Sequence, residues 1–153
     1  MTPQDWPHLK YFRPNENWGD PAKMKFELLW LLDSFREYIN QPVYVVCGTQ
    51  GRHVKDSQHY LGKAVDIVID AANISPADIL LSIFRFPISG IGLMPLARYD
   101  KYSRPFGLHL DCRDVSSLPR GITQATWIAI PKSGGANDYY PLTEQNLRKF
   151  SII

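Results

Sequence analysis

Two cysteines in 153 residues are too few for a disulfide framework, so this chain is no stapled miniature scaffold. Nor is there an apolar run approaching the roughly 20 residues that span a bilayer. The longest candidates, around Phe26–Leu32 and Ile79–Phe86, are interrupted by charges. Charge of one sign is also missing: 17 Lys and Arg face 15 Asp and Glu, leaving a net +2. A protein built to grip phosphate backbones shows a marked basic excess, so nucleic acid is not the expected partner. The first residues, Met1 to Trp6, carry neither a basic leader nor an apolar stretch, which reads as no secretory signal and synthesis in the cytoplasm. In that reducing setting Cys47 and Cys112 are expected to stay free thiols.

What is present suits one soluble domain. Hydrophobic residues make up 44% and charged residues 21%, enough apolar material to offset the entropy of ordering the chain. No internal repeat or low-complexity tract divides it. Residues 1–153 therefore read as a single domain, with 1–20 as an arm folded onto it and 131–153 as a loop and short helix.

Asp20-Pro21 pairs a helix cap with a proline at the first helical position, where its missing N–H is harmless. Met24, Leu28, Leu31, Phe35 and Tyr38 follow in steps of four and three, which predicts a core-facing stripe on a helix ending near Asn40. Val43–Cys47 and Ala64–Ile69 read as strands by their β-branched content. Ser75-Pro76 opens a short helix with Ile79, Leu80, Ile83 and Phe84 turned inward. Gly90–Met94, Gly107–Cys112 and Ala125–Ile130 are the remaining strands, and a short helix follows Thr143. His109 and Asp111 share a face, because side chains along a strand alternate with period two.

The chemistry concentrates in Ser57-Gln58-His59-Tyr60-Leu61-Gly62-Lys63-Ala64-Val65-Asp66 and in Gly107-Leu108-His109-Leu110-Asp111-Cys112-Arg113. Two imidazoles and a carboxylate are the donor types of a three-ligand zinc site whose fourth position is left to water. Four histidines in a chain always offer such trios, so the spacing has to carry the case.

That spacing, Ser-x-His-x-x-Gly-x-Ala-x-Asp, resembles the signature of the zinc D-alanyl-D-alanine carboxypeptidases and related peptidoglycan peptidases. The family includes phage endolysins and shares its fold with the hedgehog signalling domain. Ser57, His59, Gly62, Ala64 and Asp66 occupy every fixed position. His109-Leu110-Asp111 resembles the His-x-Asp element of smaller, phage-type members, and Gly90-Ile91-Gly92 the family's Gly-x-Gly turn. Cys47-Gly48-Thr49-Gln50-Gly51-Arg52 looks like its strand-end Ser-Gly-x-x-x-Arg segment, with Cys for Ser. The resemblance implies an α+β fold, a small, mostly antiparallel sheet flanked by helices.

It also implies His59, Asp66 and His109 as zinc ligands and Arg52 as the cation facing the substrate carbonyl oxygen as charge develops there. A guanidinium suits that task, although a loop arginine is also an ordinary solvated charge. Ser57 is expected to tie the loop by hydrogen bonding, and Gly62 to permit a turn. Many members carry an acid or histidine three residues before the last His ligand, as general base. Phe106 stands there instead. Asp111 is the nearest replacement, either as that base or as a carboxylate orienting a ligand imidazole. His53 reads as a solvated loop histidine.

The function implied is a monomeric zinc peptidase cutting peptidoglycan stem peptides, as carboxypeptidase or endopeptidase. It would reach the cell wall as a phage-type lysin or tail component. The alternative is a catalytically silent, metal-stabilised module that binds wall peptide or builds a virion part.

Overall fold

The computed structural model describes residues 5–95, 104–133 and 137–152. Helix α1 (Phe26–Ile39) begins later than Asp20-Pro21 suggests. The Asp20 side chain does accept from Ala22 N, but it caps only a single 3-10 turn, Pro21–Lys23. Met24 then extends (φ −60°, ψ 137°), and Lys25 N donates to Gly62 O at 2.9 Å. A tie to a distant loop thus takes the amide that a continuous helix would have used. Met24, Leu28, Leu31 and Phe35 are buried as expected. Tyr38 is not: it is 51% exposed, resting edge-on against Phe86, and Ile39 is the buried residue of that last turn. Asn40 ends the helix in the left-handed region (φ 50°).

Residues 6–18 contribute side chains to the core. Trp6, Phe12 and Trp18 are buried, with Trp18 ringed by the other two at 5.6 and 5.7 Å. The buried Asp33 carboxylate of α1 accepts from Lys10 N and Tyr11 N (2.9 and 2.7 Å), which pins the arm to the helix.

The sheet comprises β1 (Val43–Cys47), β2 (Ala64–Asp70), β3 (Gly90–Met94), β4 (Pro105–Asp111), β5 (Ala125–Pro131) and β6 (Asn137–Pro141). Their spatial order is β1-β2-β4-β3-β5-β6. Four of the five pairings are antiparallel; β3 and β5 run parallel, so the sheet is mixed. The chain leaves β4, passes a turn at Val115–Ser117 and returns on the far side of β3, which sets that direction. The fold class is α+β, with α2 (Pro76–Ile83) and α3 (Glu144–Lys149) completing the helices. Ser75 caps α2 through Asp78 N, and Thr143 caps α3 through Asn146 N. Phe84 lies just past α2 and is 43% exposed rather than inward. Strand β6 falls where sequence suggests only a loop. Its alternate exposed and half-buried residues never form an apolar run, and pairing with β5 alone makes it a strand. No helix among the described residues is long and apolar enough to cross a membrane.

Register sorts the sheet into two faces. One cross-strand row runs Val45, Ile67, Leu108, Leu93, Ile128, and packs into the core with Leu28, Leu32 and Phe35 of α1 and Ile79 and Ile83 of α2. The neighbouring row runs Cys47, Asp66, His109, Gly92, Trp127 on the other face. A bulge contributes to this alignment. Two steps along β1, from Val45 to Cys47, answer one step on β2, from Ile67 to Asp66. Phe106 belongs to the core face, opposite Ile69 and 5% exposed, so no acid placed there would face the Asp66–His109 row.

Candidate metal centre

Asp66 and His109 are direct cross-strand partners, which alone brings their side chains together on the face away from the helices. His59 arrives from the loop between β1 and β2, on a 3-10 turn, Gln58–Leu61. Ser57 caps that turn by accepting from His59 N at 3.3 Å, the loop-tying role expected of it. Gly62 ends it at φ 66°; any Cβ there would overlap Lys23 O, so glycine is required twice over.

His59 Nε2, Asp66 Oδ1 and His109 Nδ1 lie 2.8 to 3.4 Å from one another. Tetrahedral donors at about 2.0–2.2 Å from an ion stand roughly 3.4 Å apart, so these three admit a common centre at ordinary bond lengths. They form a group that can hold a metal ion. The hydrogen bonding of His59 suits a ligand. His59 Nδ1 donates to Gly48 O at 2.6 Å, and because a carbonyl only accepts, the lone pair is left on Nε2. His109 lies between two carboxylates, Nδ1 donating to Asp66 at 2.8 Å and Nε2 to Asp111 at 3.1 Å.

Charge follows from this packing. Burial alone would lower the His109 pKa, yet hydrogen bonds and charge from Asp111 and Asp66 push it up to about 9. Burial would raise Asp66 too, and its contacts with His109 and His59 instead hold it well below the carboxylate range. Asp111 is fully buried and likewise held low, against burial, by Arg113 and His109. Without an ion, these contacts favour a protonated His109 between the two carboxylates. An ion at Nδ1 takes the place of a proton.

The expected site residues occupy distinct places. Arg52 is exposed on the rim of a cleft of about 570 Å³ that also exposes Asp66, His109 and Trp127. Its side chain has no hydrogen bond or ion pair among the described residues. Asp111 shares the His109 face, as alternation required, but stands behind the imidazole, on the Nε2 edge away from the other two donors. Both its oxygens are engaged: Oδ1 accepts from Arg113 N and Nε, Oδ2 from Arg113 Nη2 and His109 Nε2.

Three neighbours escaped sequence reasoning. His53 is not simply solvated: it stacks on His59 at 4.0 Å, rings 6° apart, with Nε2 donating to Gln50 O. Trp127 reaches His109 at 5.3 Å across Gly92, where any Cβ would collide with the indole. Arg113 follows Asp111 by two, and that same-face spacing was the available signal. Cys47, His53 and His59 also lie close enough to share an ion. Parallel rings, however, aim their in-plane lone pairs side by side rather than at one point. Burial, then the Asp66 charge, also pushes the Cys47 thiol up to about 11, away from thiolate. Comparison with protein-family models, with curated proteins and with solved structures finds no match.

Proposed function

We propose that this chain is a zinc-dependent peptidase acting on peptidoglycan stem peptides. The observation that carries the reading is the convergence of His59 Nε2, Asp66 Oδ1 and His109 Nδ1 on the floor of an open cleft. Nitrogen and carboxylate donors in a three-member set suit zinc with one position open to water. Zinc bound there supplies a Lewis acid and a water acidified toward neutrality. The chain's own residues do the rest. Arg52, at the rim and with no side-chain partner among the described residues, offers positive charge to a carbonyl oxygen as it becomes an oxyanion. His59, Asp66 and His109 all line the cleft and would hold the ion there. Asp111, with four contacts on two oxygens, fits orientation of His109 better than proton transfer.

The substrate class rests on the resemblance of the Ser57–Asp66 segment to the peptidoglycan peptidases. With it come wall peptide as partner, action as a monomer, and delivery to the wall as a phage-type lysin or tail component. Mass spectrometry of muropeptides after incubation with zinc-loaded protein tests it. A loss of one terminal residue marks a carboxypeptidase, and an internal cut an endopeptidase. Protein that carries stoichiometric zinc and cleaves no muropeptide would overturn the reading.

A second reading has its own support. Phe106 is on the core side and Asp111 is fully engaged, which leaves the trio without the acid that the family places before its last His ligand. That favours a silent, metal-stabilised module binding wall peptide. Binding of muropeptide without turnover is its signature.

A further inference from the structure

We infer that Arg113 is a positioning residue of the metal centre, acting on His109 through Asp111; the inference rests on the metal reading above. Asp111 is fully buried, and a carboxylate without solvent must be matched by charge and hydrogen bonds or abandon its ionised form. Arg113 supplies both. Its Nε donates to Oδ1 at 2.8 Å, its Nη2 to Oδ2 at 2.5 Å, and its backbone N to Oδ1 at 3.1 Å. This two-point grip fixes the plane of the carboxylate as well as its position, which a single ammonium cannot do. From that plane Oδ2 meets His109 Nε2 at 3.1 Å, and the opposite edge of the same ring presents Nδ1 to Asp66 and His59.

The surroundings are shaped for this arrangement. Gly90 faces Asp111 across the strand pair, and any Cβ at 90 would overlap the carboxylate. The Arg113 guanidinium lies over the Trp127 ring at 5.3 Å, and the same indole meets the His109 ring at 5.3 Å. One aromatic surface therefore backs both ends of the relay, a fit for a flat cation. Without the Arg113 side chain the buried Asp111 would keep only its His109 contact and the backbone N–H of residue 113. The carboxylate would be free to turn, and the imidazole would lose the reference that aims Nδ1 at the ion.

Zinc titration of purified wild-type, Arg113→Ala and Arg113→Lys protein tests this, read alongside the melting temperature of each metal-free form. Nitrogen-15 spectra of the His109 ring, with and without zinc, give the readout that a merely structural role would not move. The wild type should bind one zinc through Nδ1 of His109. Arg113→Ala should bind about 10–100-fold more weakly, the usual cost of losing an outer partner, with the His109 nitrogens shifted. Arg113→Lys should recover only part of that loss. Variants that bind zinc as tightly as wild type with unchanged His109 nitrogens overturn the proposal while leaving the metal reading standing. Wild-type protein that takes up no zinc overturns both. Should Arg113→Ala fail to fold, Arg113→Lys decides alone: wild-type affinity in it refutes the two-point grip.

Discussion

The two halves of the centre are held by different means. Asp66 and His109 are neighbours because β2 and β4 pair in continuous register, and moving either means breaking a ladder. His59 depends on a loop whose shape is enforced from outside by the N-terminal arm. Trp18 O accepts from Thr49 N at 2.7 Å, Gln50 Nε2 donates to Asn17 O at 2.8 Å, and Lys25 N holds Gly62 O at the other end. Gly48, whose carbonyl orients His59, lies so close to Trp18 that a Cβ would collide with its backbone. Strand register places two donors rigidly, and a clasp of single hydrogen bonds places the third. Damage should therefore be all-or-none in the first half and graded in the second.

The harshest test is Phe106→Glu. It removes an aromatic from the core, a loss of about 3–5 kcal/mol for truncation alone, and leaves an unpaired carboxylate buried on the helix side of the sheet. Chemical denaturation should show a large loss of stability, with no gain of hydrolysis from the new acid. A soluble, stable and more active variant would show the strand half to be reversible in its facing. Next, His109→Ala and His59→Ala should each cut zinc affinity by more than the 10–100-fold typical of losing a supporting partner. His109→Ala should also raise the Asp66 pKa, since His109 is the first of the contacts that lower it. Stoichiometric, tight zinc in either variant would break the ligand assignment.

Milder damage should separate the halves. Thr49→Val removes the hydroxyl that donates to Trp18 O and accepts from Asp20 N, at a cost of about 0.5–1.5 kcal/mol per bond. Hydrogen exchange should quicken for amides of residues 57–63 and stay unchanged in β4. Equal acceleration in both would mean the halves are one unit. The smallest effect concerns pH in the metal-free protein. His109 is raised from 6.5 to about 9, so its contribution to stability is complete below pH 6.5 and fades as pH rises through about 9. Asp66 and Asp111 are lowered from 3.8, so theirs is complete above that value and is lost on acidification below it. Denaturation midpoints should thus form a plateau between the two limits, and zinc affinity should climb across the alkaline one.

Much of this was legible in the sequence, and for identifiable reasons. Period-two alternation put His109 and Asp111 on one face, and β-branched runs located β1, β2 and β5 to within a residue or two. Cap chemistry at Ser75 and Thr143 placed α2 and α3. What stayed hidden depends on partners distant in the chain. Lys25 N could start a helix only by knowing about Gly62. The parallel run of β5 beside β3 leaves no trace in local pattern, and β6 is a strand only because β5 offers an edge. Asp111 looked equally fit for proton transfer or for orientation. Its four contacts come from Arg113 and His109, and nothing in spacing alone shows that both oxygens are taken.

The bond between Asp66 and His109 joins residues 43 apart, and that between His59 and His109 joins residues 50 apart. Closing such intervals costs chain entropy before any contact repays it, so the donor set should be completed late, once β4 has docked on β2. An ion that needs all three donors has little to hold in the unfolded chain. It cannot hasten the search; it can only delay the departure. Bound metal should therefore act on the clock of unfolding, lengthening the lifetime of the native state while leaving the folding rate nearly as it was.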